Sequence, residues 1–152
     1  MQKAIFAAGC FWGVEAAFRE LPGVIDVACG YIGGHSDGPN YQQVCTGLTG
    51  HAEAVEVQFD PAQTSFEKLL DAFWRMHDPT TPNRQGPDVG SQYRSAVFCV
   101  TVEQQAIAEQ SKQAAQARFS SPVVTEINSA STFWRAEEYH QRYFEKNGLA
   151  HC

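Results

Sequence analysis

A cysteine between two glycines is the feature of this sequence best suited to chemistry. It lies in residues 9–13, which read Gly-Cys-Phe-Trp-Gly. Residues 4–8 before it form an apolar run typical of a buried strand. The apolar residues after it follow the i, i+3, i+4, i+7 spacing of an amphipathic helix: Val14, Ala17, Phe18 and Leu21. Cys10 is therefore predicted at a strand-to-helix turn, where a helix N-terminus favours a thiolate.

The residues alone leave two interpretations of Cys10 open. It could be a buried structural cysteine packed on an aromatic core, as many cysteines are. It could instead be a reactive thiol, because the flanking glycines allow close approach of backbone or substrate and the helix start stabilises negative charge. An unassisted thiol has a pKa near ~8.5, so only a few per cent of it is thiolate at pH 7.

A second candidate for chemistry is Glu53, in the segment 51–60. Three apolar residues there alternate with polar ones: Val55, Val57 and Phe59. This alternation predicts a strand, and stepping back by two places Glu53 on its apolar face. A carboxyl group in that position loses water, so its pKa should rise and it can hold a proton near neutral pH. The alternatives are a hydrated acid at the end of the strand or a paired structural acid.

Composition limits the class of protein. The chain has 152 residues, 43% of them hydrophobic and 18% charged, which fits one globular domain over 1–152. The net charge is −6 without a block of like charge, which argues against a nucleic-acid surface. No apolar run reaches membrane-spanning length, so no membrane partner is expected. The N-terminus lacks the features of a secretion signal, and we expect a cytoplasmic protein.

The cysteines do not form a metal-binding pattern. The chain has five, at positions 10, 29, 45, 99 and 152, without a CxxC pair. Neither a zinc site nor a thioredoxin-type motif is supported, and no cofactor or metal is predicted. In a reducing compartment these cysteines are thiols at rest.

Strand and helix patterns alternate along the rest of the chain. We predict strands at 24–29, 51–60, 93–100 and 122–127, and helices at 64–78, 101–119 and 136–146. Capping boxes begin two of the helices, at Thr64 with Glu67 and at Thr101 with Gln104. Long loops at 30–41 and 79–92, and a short mobile tail at about 147–152, complete the chain.

This order of elements predicts the fold class. It runs β-α-β, β-α-β, then α, β, α, without a helix between the second and third strands. The pattern is that of an α+β protein with a ferredoxin-like split βαβ plait. We expect a mixed sheet with flanking helices, whose long loops meet over Cys10.

Four motifs together resemble the A-type peptide methionine sulfoxide reductases. They are Gly-Cys-Phe-Trp-Gly at 9–13, Gly-His-Ala-Glu-Ala at 50–54, His-Asp-Pro at 77–79 and Gln-Tyr-Arg-Ser at 92–95. The resemblance covers nearly the whole chain. It implies a thiol-dependent oxidoreductase that reduces the S epimer of methionine sulfoxide, free or in peptides and proteins, and so repairs oxidised proteins.

The resemblance also implies roles in the reduction step. Cys10 would attack the sulfoxide sulfur, and Glu53 would supply the proton that the leaving oxygen needs. Tyr41 and Tyr93 would hold that oxygen through their hydroxyl groups, which stay protonated at pH 7. Asp88 would assist the site.

The same resemblance assigns an apolar pocket for the S-methyl group to Phe11 and Trp12, through sulfur–aromatic contact. Their alternative role is simple core packing. Each of the two tyrosines, Tyr41 and Tyr93, could likewise be an ordinary surface or core aromatic.

Recycling is implied by resemblance as well. The first step leaves a sulfenic acid on Cys10, which Cys152 would resolve as a disulfide, and thioredoxin would reduce that disulfide. Many family members continue beyond the resolving cysteine, whereas this sequence ends there, so a two-cysteine cycle is expected. Gly148 to His151 also differ from the commoner Gly-Tyr ending, and Phe133-Trp134 stands where Phe-Tyr is frequent. The other three cysteines are expected to be inert, and the protein to be a monomer.

Other functions are open but weaker. A cysteine hydrolase would use Cys10 with His51 or His140 as base and Asp88 as orienting acid, and would need no second cysteine. A redox sensor would need only a reactive Cys10 and a resolving thiol. A zinc deaminase is suggested by His51-Ala52-Glu53, but its PCxxC partner is missing and this function is rejected.

Overall fold

Apolar runs of the chain assemble into one central sheet with helices beside it. The structure is a computed structural model that describes residues 1–148. Its elements are β1 (Gln2–Ala8), α1 (Phe11–Arg19), β2 (Val24–Ile32), α2 (Tyr41–Cys45), β3 (Ala52–Phe59), α3 (Phe66–Met76), β4 (Arg84–Gln85), β5 (Asp88–Val89), β6 (Ser95–Cys99), α4 (Val102–Ala115), β7 (Glu126–Ser129), β8 (Trp134–Arg135) and α5 (Tyr143–Lys146).

The sheet is mixed and has six strands in the order β7-β6-β1-β3-β2-β8. The β6–β7 pair is parallel and the other pairs are antiparallel. This arrangement confirms the predicted α+β class with a mixed sheet and flanking helices. A separate hairpin of β4 and β5 lies within the long loop at 79–92, where no element was predicted.

The central strand β1 is buried on both faces, which explains its continuous apolar sequence. Phe6 packs towards the helices, with its ring stacked on Phe18 at 4.8 Å between centroids and near Phe73 at 5.3 Å. Ile5 and Ala7 belong to a second apolar cluster, together with Phe98. Because the strand is fixed on both sides, its C-terminal end holds the following turn in place.

Helix starts agree with the sequence in one case and differ in another. Thr101 caps α4 as predicted, accepting a hydrogen bond from the backbone N–H of Gln104. The capping box predicted at Thr64 is wrong by one residue, since Ser65 caps α3 and accepts from Lys68. Both residues can cap a helix, and the backbone conformation decides between them.

The helix predicted over 136–146 is broken in the structure. A 3₁₀ turn, Glu138–His140, precedes α5, and Arg142 between them has a φ of 55°, outside the helical range. The backbone N–H of Arg142 donates to the buried carboxylate of Glu15 at 2.9 Å. These bonds to another element outweigh the local helical preference.

Other boundaries shift modestly. The strand predicted at 122–127 is observed as Glu126–Ser129, and Tyr93 lies in a 3₁₀ turn, Ser91–Tyr93, before β6 begins. The short helix α2 was not predicted, because it has five residues and only Val44 among them is buried. Across residues 1–148, we find no helix with the length and apolar character needed to cross a membrane.

Candidate active site

Cys10 lies at the junction of β1 and α1, as its flanking glycines and the two patterns predicted. It is the N-cap residue of α1 and is partly exposed. Gly9 before it has a φ of 100°, a conformation that favours glycine. The first-turn N–H groups of α1 offer partial positive charge to a thiolate at this position.

Glu53 is a buried acid beside that turn. It lies near the start of β3, paired with Tyr31 of β2, and only 1% of it is exposed. Its Oε1 accepts a 3.2 Å hydrogen bond from the backbone N–H of Phe11. Burial raises the pKa of Glu53 to about 8, opposed by the Phe11 bond and assisted by the charge of Asp88. The predicted buried position is confirmed, and the raised pKa favours the protonated form of Glu53 at neutral pH.

The two candidate tyrosines approach Glu53 from different loops. Tyr41 begins α2, and its backbone N–H donates to Oε2 of Glu137 at 2.9 Å. Tyr93 ends the turn before β6. Burial raises the pKa of both phenols, and the charge of Glu53 raises both further. Both side chains are therefore hydrogen-bond donors across the neutral range.

Asp88 lies on the β4–β5 hairpin, next to Cys10. A cavity of about 400 Å³ separates the hairpin from α1. Its lining includes Ala8, Cys10, Val14, Met76, Gln85 and Asp88. The charge of Asp88 also raises the pKa of Tyr93, so this carboxylate belongs to the same group of side chains as Glu53.

Two aromatic side chains follow Cys10 in the first turn of α1. Phe11 is 1% exposed and its ring lies 5.7 Å from that of Tyr31, so it belongs to the core. Trp12 is partly exposed, and its indole stacks on Tyr143 at 3.8 Å with an interplanar angle of 7°. Trp12 is thus the member of the predicted pocket that presents an accessible face.

The sequence did not predict that His140 and Tyr143 contact Trp12. The indole N–H donates to Nδ1 of His140 at 3.0 Å, and burial lowers the pKa of His140. Because Nδ1 accepts, the neutral imidazole carries its proton on Nε2, for which residues 1–148 supply no partner. His140 and Tyr143 are three residues apart, a weak signal for a shared face.

The two histidines suggested as bases of a hydrolase form hydrogen bonds with other groups. Nδ1 of His51 accepts from the backbone N–H of Gly34, and its Nε2 donates to the carbonyl oxygen of Ser36 at 2.7 Å. His51 therefore holds the glycine-rich loop, and neither nitrogen is left to accept the proton of a thiol. His140 is engaged with Trp12.

The remaining cysteines differ in exposure. Cys29 and Cys99 are buried free thiols; burial raises the pKa of Cys29 strongly and that of Cys99 to about 11, so both stay protonated. Cys45 is exposed, and desolvation raises its pKa as well. The predicted resolving residue Cys152 lies outside the described residues.

Comparison with known proteins agrees with this geometry. A family model described as peptide methionine sulfoxide reductase matches residues 2–152. "Peptide methionine sulfoxide reductase MsrA" of Acidobacterium capsulatum is 60% identical, covering 100% of this chain and 99% of the relative.

Solved structures give the same result. Reduced Mxr1 of Saccharomyces cerevisiae superposes with a TM-score of 0.94 at 36% identity, covering 99% of this chain and 88% of that one. Mxr1 in complex with Trx2 superposes with a TM-score of 0.68 at 26% identity, covering 93% and 84%.

Proposed function

This chain belongs to the peptide methionine sulfoxide reductase family, and from that premise we propose how its residues reduce methionine S-sulfoxide to methionine. The enzyme is a thiol-dependent oxidoreductase, a peptide-methionine (S)-S-oxide reductase. The assignment of residues to steps follows the family resemblance, and the burial and hydrogen bonding of Glu53 support it.

The reduction transfers oxygen from one sulfur to another. The thiolate of Cys10 attacks the sulfoxide sulfur, and the proton of Glu53 passes to the sulfoxide oxygen as negative charge develops there. The hydroxyl groups of Tyr41 and Tyr93 donate hydrogen bonds to that oxygen. The sulfoxide S–O bond breaks, the oxygen bonds to the Cys10 sulfur as a hydroxyl group, and the bond between the two sulfurs breaks. The products are methionine and a sulfenic acid on Cys10, so the sulfoxide is reduced by two electrons and the thiol is oxidised by two.

One observation carries this proposal: the acid beside the nucleophile is buried and hydrogen-bonded to the residue that follows the nucleophile. A carboxyl group with a pKa of about 8 is still protonated at pH 7, which a proton donor requires. The bond from Phe11 to Glu53 holds it next to the Cys10 turn. Trp12 offers an apolar, polarisable surface to the S-methyl group.

Recycling needs a second thiol. We assign this step to Cys152, whose thiol condenses with the sulfenic acid to release water and form a disulfide. Thioredoxin then reduces the disulfide by exchange. The family membership and the complex of Mxr1 with Trx2 support this reductant.

Three properties of the whole protein are proposed alongside. Residues 1–152 act as one domain, the protein is a monomer, and it works in the cytoplasm. Five widely spaced cysteines that include a redox pair suit a reducing compartment. Light scattering of the reduced protein tests the monomer.

A single turnover without added reductant tests the cycle. Prereduced protein is mixed with excess peptide methionine S-sulfoxide, and methionine formed and thiols lost are counted per chain. We expect one methionine, two thiols lost and a Cys10–Cys152 crosslink. A persistent sulfenic acid on Cys10 would remove the role of Cys152, and no methionine would contradict the reductase mechanism itself. Continued turnover without reductant would indicate a hydrolase.

A further inference from the structure

The β4–β5 hairpin carries Asp88 towards the cavity next to Cys10. Gln85 to Asp88 supply the hairpin side of the cavity lining. Each strand of the hairpin has only two residues, so the position of Asp88 depends on how the hairpin is attached to the rest of the fold. Bonds from Thr81 to Arg84 and from Gly90 to Asn83 join residues within the loop itself.

One side chain joins the hairpin to the end of α3. The backbone N–H of Asp78 donates to Oε1 of Gln85 at 2.9 Å, and Nε2 of Gln85 donates to the carbonyl oxygen of Asp78 at 2.7 Å. A single amide thus pairs with both backbone groups of one residue. Such a two-point contact fixes the direction of the side chain as well as its distance.

The residue at the other end of this contact is itself held firmly. Oδ1 of Asp78 accepts from both the backbone N–H and the hydroxyl of Thr80, at 3.0 and 2.6 Å. The preceding residue, His77, bonds to the carbonyl oxygen of Phe73 and to the hydroxyl of Ser95, each at 2.7 Å. Gln85 therefore connects the hairpin to a segment that His77 bonds to α3 and β6.

The stem of Gln85 also contacts the turn that carries Cys10. A Cβ built on Gly9 would lie 2.8 Å from Cγ and 2.9 Å from Cβ of Gln85. Any larger residue at position 9 would push the hairpin away. From its place in the hairpin, Gln85 thus contacts two other parts of the chain: the segment after α3 and the turn that carries Cys10.

We propose that Gln85 is a positioning residue, whose amide holds the hairpin so that Asp88 lines the cavity beside Cys10. This inference rests on the function proposed above. Gln85 itself is neutral and needs no contact with the substrate. Its effect on the reaction passes through Asp88.

The charges around Glu53 supply a readout for this role. The charge of Asp88 raises the pKa of Glu53. The charge of Glu53 in turn acts on the titratable side chains around it, which are Cys29 and Tyr31 of β2, Tyr41 and Cys45 of α2, and Tyr93. If the hairpin moves away, the pKa of Glu53 falls, and the alkaline decline of the reduction rate moves to lower pH.

The test compares Gln85→Met with wild type in a single turnover at saturating peptide methionine sulfoxide. Met keeps the Cβ and Cγ against Gly9 and removes both hydrogen bonds. We expect the rate constant of methionine formation to fall about tenfold or more, with the alkaline limb shifted to lower pH. Gln85→Asn, one methylene shorter, should behave similarly. Gln63→Met, the same change at an exposed glutamine bonded to Asp60, is the matched control.

The Asp88→Asn background decides whether Gln85 acts through Asp88. We expect Gln85→Met to add little to Asp88→Asn, with thermal unfolding confirming that each variant is folded. An unchanged rate in Gln85→Met, or an equal loss in both backgrounds, would overturn the inference. Methionine formation by wild type is the separate check on the proposed function.

Discussion

The backbone N–H of Phe11 and the carboxyl group of Glu53 are joined by a 3.2 Å hydrogen bond, although 42 residues separate them in sequence. Phe11 directly follows Cys10, so the bond links the proposed acid to the main chain of the proposed nucleophile. The separation of the two groups is therefore set by the backbone of α1 and β3, which loses little freedom on substrate binding.

Replacing Glu53 by Gln should slow the reduction step. Gln keeps the shape and can still accept the Phe11 bond, but it has no proton to transfer. We expect the single-turnover rate constant of methionine formation to fall about 10²- to 10⁴-fold, the usual contribution of a general acid. Glu56→Gln makes the same change on the opposite face of β3, where Glu56 pairs with Lys3. Equal losses in both variants would contradict the assignment.

Glu53→Gln should also stabilise the protein at alkaline pH. The pKa of Glu53 is raised to about 8 in the fold, so between its unfolded value and 8 the native state holds a proton that the unfolded state has lost. Stability falls with rising pH across this window. We expect Glu53→Gln to gain about 1–3 kcal/mol at pH 8 and much less at pH 5. Thermal midpoints of the reduced proteins at both pH values measure this; a gain that does not depend on pH would disagree with a buried, protonated acid.

Loss of either phenol should affect the reaction more than the binding. Tyr41→Phe and Tyr93→Phe each remove one donor aimed at the sulfoxide oxygen, whose charge grows in the transition state. We expect the rate constant at saturation to fall about 10- to 100-fold for each, with the half-saturating substrate concentration little changed. Tyr139→Phe is the control, since Tyr139 is 57% exposed. If only the half-saturating substrate concentration rises, these hydroxyl groups bind the substrate and its transition state equally well, which would contradict the proposed role.

Acid should remove the stability that His77 contributes, in a pH range where the raised pKa of Glu53 acts in the opposite direction. Burial lowers the pKa of His77 to about 4. The unfolded chain takes up this proton near 6.5, whereas the fold does not until about pH 4, so the stability that His77 contributes is complete above 6.5 and is lost between the two values. We expect a loss of up to about 3 kcal/mol across that range.

Urea unfolding between pH 7 and 4 measures this loss. His77→Gln should be less stable at pH 7, because its bonds to Phe73 and Ser95 are altered. The difference in stability between His77→Gln and wild type should shrink by this amount as the pH falls from 7 to 4, because Glu53 contributes equally to both proteins. His35→Gln, at an exposed histidine, should keep the wild-type slope. If the free energy of unfolding changes with pH to the same extent in His77→Gln and wild type, His77 does not cause the change.

Local patterns were sufficient where the chain follows a simple period. The two-residue period of β3 placed Glu53 on the face that the helices cover, and the strand-to-helix change placed Cys10 at a helix N-terminus. They failed where bonds between distant elements fix the backbone. Arg142 leaves the helical range because its N–H meets Glu15, and Gln85 pairs with Asp78 in a loop that has no periodic pattern.

By itself, the sequence determined which groups are available for chemistry, the order of the main strands and helices, and the face of β3 that turns inward. These depend on side-chain type and local spacing, which the amino-acid sequence contains directly. Only the tertiary structure decided that Glu53 loses its water beside Phe11, that His140 supports Trp12, and that His51 holds a loop. Burial and hydrogen-bond partners are properties of the packed fold, and no local pattern contains them.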